Sequence, residues 1–266
     1  MPGKIIAIAN QKGGVGKSTT CQYLGQWLKR LDKKVLVIDL DPQSNLSILS
    51  GANTDATNVE TKTILEVLCN GVTADGVPFS NAIQHLDEYD IVPASMFLAG
   101  IDGRLTDPII RTYKFKTEIA NAELTKLYDY ILIDCPPALG TLTTLALIAA
   151  NTVIVPAQAD VLSLQGVSQL FATIESIRNN NANKALKIEG ILLTRFKENT
   201  TMSREMSAMF SSVTSQMGTK LFETKIHDST AVPKSQGSKK SIFDTKPLPR
   251  PAEDYINLVR EIFNIE

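Results

Sequence analysis

A strand-like segment, a glycine-rich loop and a helix-like segment follow one another at the start of this chain. Residues 4–9 are mostly apolar and rich in isoleucine, and residues 10–19 contain the run Lys-Gly-Gly-Val-Gly-Lys-Ser. The third segment places apolar side chains at helical spacing, at Cys21, Leu24, Leu28 and Leu31. A buried strand that enters a helix through such a loop is typical of α/β folds, so this order predicts a parallel sheet covered by helices.

The rest of the chain continues the alternation of strands and helices. Further strands are predicted at residues 34–38, 130–133, 152–155 and 188–193, and helices at residues 164–177 and 252–263. The roughly 90 residues between the second and third strands are too long for an unstructured loop. They are predicted to hold helices at 64–68, 96–105 and 108–127, an edge strand at 89–92 and a mobile surface loop at 50–63. The sequence therefore predicts a doubly wound, mostly parallel α/β fold in a single domain over residues 1–266.

Composition excludes several classes of protein. The 266 residues carry 27 Lys and Arg against 28 Asp and Glu, and 43% are hydrophobic, which is typical of a globular domain. The cysteines, Cys21, Cys69 and Cys135, lack a CxxC spacing, so neither a disulfide framework nor a zinc site is indicated. The apolar runs are far shorter than the about 18 residues of a membrane span, so a cytoplasmic protein is predicted.

The glycine-rich loop has the composition of a phosphate-binding loop. Glycines let backbone N–H groups curl around phosphate oxygens, and the helix N-terminus behind them favours negative charge. Lys17 can then reach the β and γ phosphates, and the Ser18 hydroxyl can bind Mg²⁺. Gln11 occupies the position of the first glycine in the common pattern G-x-x-x-x-G-K-[ST]. Lys12, which follows it, adds positive charge that can stabilise the γ-phosphoryl group during its transfer. The loop therefore predicts a nucleotide site.

Two further motifs place carboxylates at the ends of predicted strands. Residues 39–43 read Asp-Leu-Asp-Pro-Gln, and residues 131–137 read Ile-Leu-Ile-Asp-Cys-Pro-Pro. Together with residues 12–18, which match K-G-G-x-G-K-[ST] completely, they resemble the ParA/MinD class of P-loop ATPases with a deviant Walker motif. The resemblance continues through residues 153–156 and 240–244. In appearance it is closest to the DNA-partitioning ParA/Soj proteins that lack an N-terminal DNA-reading domain.

The residues and the resemblance together predict a role for each polar group of the site. Asp134, at the end of an apolar strand, is placed to hold Mg²⁺ through water, and Asp39 and Asp41 should point to opposite sides of an extended turn. The resemblance implies that Asp41 orients the attacking water, that Asp39 lies near the metal, and that Lys12 reaches the nucleotide of a second subunit. The predicted catalytic residues are Lys12, Lys17 and Asp41, and the predicted metal residues are Ser18, Asp39 and Asp134. The predicted contacts to ATP are Lys12, Gly13, Gly14, Val15, Gly16, Lys17, Ser18 and Thr19.

A basic excess towards the end of the chain bears on possible partners. Residues 195–246 contain nine basic side chains against five acidic ones, which is either an ordinary solvated surface or a nonspecific site for phosphate backbones. The resemblance favours the second: it implies an ATP-bound homodimer that binds DNA nonspecifically on the nucleoid. It also implies slow hydrolysis stimulated by a ParB-type centromere-binding protein. The Ile-Pro-Arg-Asn turn of many relatives is replaced here by residues 226–229, so the predicted DNA contacts are Arg195, Lys197, Lys234, Lys239 and Lys240.

Three other functions stay open at the level of sequence. A MinD-like positioning ATPase could act on membrane or protein cargo, but the predicted helix at 252–263 has a mixed-charge polar face rather than the basic face of a membrane-binding helix. An ATP-dependent carrier of metal clusters would need paired cysteines, which the spacing does not supply. A nucleotide-binding scaffold that positions other cargo shares every motif named above.

Overall fold

A single mixed sheet forms the centre of the molecule. The computed structural model describes residues 2–55, 58, 60–198 and 201–264, and all strands named below lie in these ranges. The strands are β1 Lys4–Ile8, β2 Val35–Asp39, β3 Gln84–His85, β4 Asp90–Val92, β5 Tyr130–Asp134, β6 Thr152–Gln158 and β7 Lys187–Thr194. Their spatial order is β3-β4-β2-β5-β1-β6-β7, and only the pairing of β3 with β4 is antiparallel. The predicted doubly wound, mostly parallel α/β fold is confirmed.

Helices cover both faces of the sheet. They are α1 Lys17–Arg30, α2 Asn45–Ser50, α3 Ile64–Leu68, α4 Ile101–Arg104, α5 Pro108–Asn121, α6 Leu124–Leu127, α7 Thr141–Ala149, α8 Val161–Asn179, α9 Thr201–Gln216, α10 Ala231–Ser238 and α11 Arg250–Phe263. Short 3-10 helices lie at Phe79–Asn81, Met96–Gly100 and Ile242–Asp244. Because successive strand residues face opposite sides, Ile6 and Ile8 join the core under α1 and α11, whereas Ile5 and Ala7 join the core under α5, α7 and α8.

Three predicted elements differ from the structure. The helix expected over residues 96–105 is a 3-10 helix at Met96–Gly100 followed by the four-residue helix α4. The strand expected at an edge is β4, which is flanked by β2 and β3, so the prediction of an edge position is wrong. The single helix expected over residues 108–127 is divided into α5 and α6, because Glu123 adopts a left-handed conformation with φ of 51°. The prediction of a mobile loop at 50–63 includes residues 56, 57 and 59, which lie outside the described residues.

The three cysteines lie inside the protein. Cys21, Cys69 and Cys135 are all buried and free. Across the described ranges, none of the helices combines the length and the apolar character that a bilayer span requires.

The carboxyl ends of the central strands bring the motif residues together. β2 and β5 end at Asp39 and Asp134, which are paired in register, and Ile8 at the end of β1 is also paired with Asp134. β1 continues into the glycine-rich loop, and β6 leads to Asp160 at the start of α8. In open α/β sheets ligands bind at this edge, so the topology places the candidate site here.

Candidate nucleotide-binding site

The glycine-rich loop joins β1 to α1 in a conformation that requires glycine at two positions. Gly14 and Gly16 have φ of 72° and 84°, in the left-handed region that side chains disfavour. The Thr194 hydroxyl fastens the loop by donating to the Val15 carbonyl at 2.8 Å. A Cβ added to Gly13 or Gly14 would meet no atom within 4 Å, so the loop is open at these two positions. The open space lets a phosphate approach the backbone N–H groups.

Lys17 begins α1, and its ammonium group lies inside the loop. The side chain is buried, and Nζ donates to the Lys12 carbonyl oxygen at 3.1 Å. Burial lowers the pKa of Lys17, while the charge of Asp134 nearby acts in the opposite direction. The loop backbone therefore holds this cation in place as a donor for phosphate oxygens.

Lys12 is bound within its own chain. Its Nζ lies 2.6 Å from Asp160 Oδ2 and 3.3 Å from Ser163 Oγ. Asp160 is also the N-cap of α8, since its Oδ1 accepts the backbone N–H of Ser163 at 2.8 Å. Burial alone would raise the pKa of Asp160, but the Lys12 and Ser163 hydrogen bonds outweigh it and hold that pKa below its usual value. In this state Lys12 contacts the start of α8.

Asp134 has the features of a metal-binding carboxylate. It is fully buried, and neither of its oxygens accepts a hydrogen bond of ordinary geometry within the described residues. Burial raises its pKa well above the usual range and Asp39 adds to this, whereas neighbouring Ser18 and Lys17 act against it. Buried carboxylates are normally bonded or bound to a metal. A hard cation such as Mg²⁺ prefers oxygen ligands, so Asp134 with Ser18 fits it.

Asp39 and Asp41 differ in their surroundings. Asp39 accepts three hydrogen bonds: from Asp41 N at 3.0 Å, Ser47 N at 2.9 Å and Ser47 Oγ at 2.7 Å. Burial raises its pKa to about 6, against the effect of these bonds. Asp41 Oδ1 accepts the Gln43 N–H at 3.0 Å. Asp39 thus fixes the turn that carries Asp41, and Asp41 contributes to the potential at Lys17.

The predicted DNA contacts fall into two groups. Lys234, Lys239 and Lys240 lie in and just after α10, and all three are exposed. Lys239 and Lys240 line a cleft of about 380 Å³ between α1, α2 and the end of α10. Arg195 follows β7 with φ of 48°, and Lys197 lies 3.9 Å from Asp228. Lys234, Lys239 and Lys240 lie on one short segment and are called the lysines of α10 below, whereas Arg195 and Lys197 lie on another.

Several residues that hold the loop were not predicted. Asp160, Ser163 and Thr194 contact Lys12 or the loop backbone, and Gln158 Nε2 donates to the Gly14 carbonyl at 3.1 Å. Of these, Asp160 had a detectable signal, since an aspartate directly before an apolar helical segment is a common N-cap. Ser163 had none. Thr194 and Gln158 had none, because their contacts come from the sheet topology alone.

Comparison with known proteins gives consistent relatives. A family model described as an AAA domain matches residues 3–188. The sporulation initiation inhibitor protein Soj of Bacillus subtilis is 35% identical over 98% of both chains, and the chromosome partitioning protein ParA of Caulobacter vibrioides is 33% identical over 100% of this chain and 96% of its own. A crystal structure of cobyrinic acid a,c-diamide synthase from Mycobacterium smegmatis, with bound ADP and magnesium, is 33% identical with a TM-score of 0.77, covering 97% of this chain and 94% of that one.

Proposed function

The chain belongs to the ParA/MinD family of P-loop ATPases, and on that premise we propose that it is a single-domain ATPase that partitions DNA. Its ATP-bound homodimer binds DNA nonspecifically in the cytoplasm, on the nucleoid. A ParB-type partner bound at a centromere-like site stimulates slow hydrolysis and releases it. The observation that carries the proposal is the fixed glycine loop with Lys17 inside it, beside the buried carboxylate of Asp134.

The residues at the carboxyl edge of the sheet have different roles in hydrolysis. Ser18 directly and Asp134 through water would hold Mg²⁺, which when bound would neutralise charge at the phosphates. Lys17 and the N–H groups of the loop orient the β and γ phosphates. Asp41 orients the attacking water, and Asp39 keeps the Asp41 turn in place through its three hydrogen bonds.

Lys12 supports a dimer that depends on nucleotide. Its ion pair with Asp160 is partly exposed, with side-chain exposures of 25% and 32%, and ion pairs that water reaches contribute little stability. Lys12 can therefore exchange Asp160 for the γ-phosphate bound by a second subunit at a small cost. Because hydrolysis removes that phosphate, the dimer persists only in the ATP state.

The exposed lysines of α10 support DNA as the cargo. Within the described residues, the side chains of Lys234, Lys239 and Lys240 have no ion-pair partner, so they can neutralise backbone phosphates without first losing a salt bridge. The three lysines near α1 favour DNA partition over the biosynthetic activity named for the M. smegmatis protein. That activity gives no reason for lysines without ion-pair partners in the described residues at this place.

Sedimentation with matched nucleotides tests the proposal. The wild type should dimerise with ATP and Mg²⁺ but not with ADP, and Lys12→Ala should bind ATP and stay monomeric. Asp41→Ala should dimerise with ATP and fail to turn it over. Lys29→Ala, which removes an exposed lysine on α1, is the control and should behave as wild type. A wild type that stays monomeric in ATP, or a Lys12→Ala variant that dimerises normally, would contradict the proposal.

A further inference from the structure

One side chain of α10 reaches the first turn of the nucleotide helix. Gln236 Nε2 donates to Thr19 Oγ1 at 3.2 Å and lies 3.5 Å from Gln22 Oε1. Thr19 is the third residue of α1, directly after Lys17 and Ser18. A side chain from residues 234–240, the segment that carries the three lysines, therefore contacts the first turn of α1. The N–H groups at the start of that turn face a bound phosphate.

Other hydrogen bonds attach residues 235–241 to α1. The Tyr23 hydroxyl lies 3.4 Å from Ser235 Oγ, and the Ser241 hydroxyl donates to Gln26 Oε1 at 2.9 Å. The Ser235 hydroxyl in turn donates to the Lys240 carbonyl at 2.6 Å, across the end of α10. The backbone that carries Lys239 and Lys240 is thus positioned from α1.

The direction of the Gln236 bond determines what Thr19 can do. The amide of Gln236 is the donor, so the Thr19 oxygen is the acceptor and its own hydroxyl hydrogen stays available. That hydrogen can be donated to a phosphate oxygen at the start of α1. Chains of hydrogen bonds that run in one direction polarise one another and become stronger together. A phosphate bound at Thr19 would therefore strengthen the Gln236 contact rather than compete with it.

We propose that Gln236 is a positioning residue that transmits phosphate occupancy at Thr19 to the lysines of α10. Bound nucleotide, through the Thr19 hydroxyl, tightens the contact with Gln236 and fixes α10 on α1. Lys234, Lys239 and Lys240 are then held on one rigid surface, whereas without nucleotide their backbone opens more readily. This inference rests on the proposed function for its DNA partner, but the link between nucleotide and α10 can be measured without DNA.

The test replaces Gln236 with methionine, which keeps the length of the side chain and removes the donor. The control is Gln169→Met, which makes the same change at an exposed position of α8. Hydrogen exchange of residues 231–240 is measured without nucleotide, with ADP and Mg²⁺, and with ATP and Mg²⁺. ATP affinity, thermal stability and affinity for duplex DNA are measured for the same three proteins.

We expect nucleotide to slow exchange over 231–240 in the wild type and in Gln169→Met, but not in Gln236→Met. We also expect Gln236→Met to bind ATP within about threefold of wild type and to bind DNA in the ATP state about three- to tenfold more weakly, the range that one hydrogen bond supplies. Comparable thermal stability of the variants excludes misfolding as the cause.

The outcomes separate this inference from the proposed function. If the wild type shows nucleotide-dependent exchange that Gln236→Met loses, but no state binds DNA, the link stands and the DNA function fails. If Gln236→Met keeps the nucleotide-dependent exchange, or the wild type has none, the link is wrong even when DNA binding depends on ATP.

Discussion

At the scale of single residues, Asp134 is the group that most directly lowers the free energy of unfolding. Its carboxyl group is fully buried and accepts no hydrogen bond of ordinary geometry from the described residues. In the metal-free protein this group is either a buried charge or a carboxyl that has taken up a proton, and both lower the free energy of unfolding. The residue that we propose as a metal ligand therefore destabilises the empty protein.

Replacing Asp134 with asparagine should raise the free energy of unfolding of the metal-free, nucleotide-free protein by about 1–3 kcal/mol at pH 7.5. Burial raises the folded-state pKa, so between the unfolded value near 4 and the higher folded value the native state holds a proton that the unfolded state lacks. Wild-type stability falls relative to the variant as pH rises through that window, and the gain should vanish below about pH 4. Urea unfolding in EDTA at pH 7.5 and below about pH 4 measures this gain. An equal gain at the two pH values would show that the ionisation of Asp134 is not its cause.

Asp160 holds Lys12 in the single chain, which leads to a prediction about assembly. Asp160→Asn keeps an N-cap for α8 and removes the charge that pairs with Lys12. The free energy of unfolding should change by less than about 1 kcal/mol, because the ion pair is partly exposed to water. With ATP the variant should dimerise at a protein concentration about two- to fivefold lower than wild type, since Lys12 no longer leaves a partner. Unchanged or weaker dimerisation in sedimentation would show that Asp160 does not restrain Lys12.

The sequence predicted the residues of the phosphate loop because their chemistry depends on local spacing. Glycines at positive φ, a lysine at the start of a helix and an aspartate at the end of an apolar strand each have a signature within a few residues. The pairing of Asp39 with Ser47 and of Lys12 with Asp160 had no such signature. Ser47 lies eight residues after Asp39, and Asp160 is 148 residues from Lys12, so only the fold brings them together.

At the scale of elements, the approach of α8 to the phosphate loop depends on Gly166. A Cβ at this position would lie 2.9 Å from Asn10 Oδ1 and 3.8 Å from Lys12 N. Asn10 cannot easily move, because it is buried and its Nδ2 donates to the Pro156 carbonyl at 2.6 Å. The absence of a side chain on α8 therefore sets the distance between this helix and the loop.

Gly166→Ala should lower the free energy of unfolding by about 1–2 kcal/mol, although alanine is the better helix former. The matched control is Gly237→Ala in α10, where a Cβ would meet no atom within 4 Å. That substitution should instead raise stability by up to about 1 kcal/mol. Denaturant unfolding of both variants decides between the two signs, and a gain at position 166 would mean that α8 moves away freely.

Element prediction succeeded where the apolar pattern was strong and failed where tertiary contacts decide. Strands β1, β2, β5, β6 and β7 are buried runs that the pattern identifies. Helix α10 contains Pro233 and Gly237, which weaken a helical signal, and it is held on α1 by side-chain hydrogen bonds. The position of β4 inside the sheet depends on β3, whose two residues are too few to show a pattern.

At the scale of the whole molecule, the distribution of charge matters more than its sum. The net charge is −1, so general attraction to DNA is not expected. The exposed lysines near α10 instead concentrate positive charge on a segment that hydrogen bonds attach to the nucleotide helix. Our proposal therefore attributes DNA affinity to the nucleotide state rather than to overall charge.

The central claim is that ATP creates a DNA-binding dimer, and a salt titration of duplex DNA binding tests it most directly. Wild type, Asp41→Ala and a Lys239→Ala, Lys240→Ala double variant are compared with ATP, with ADP and without nucleotide. The account predicts salt-sensitive binding with ATP alone, retained in Asp41→Ala, and a log–log salt slope that falls by about two per protomer in the double variant. Binding of equal strength in all nucleotide states, or none in any state despite ATP-driven dimerisation, would contradict it.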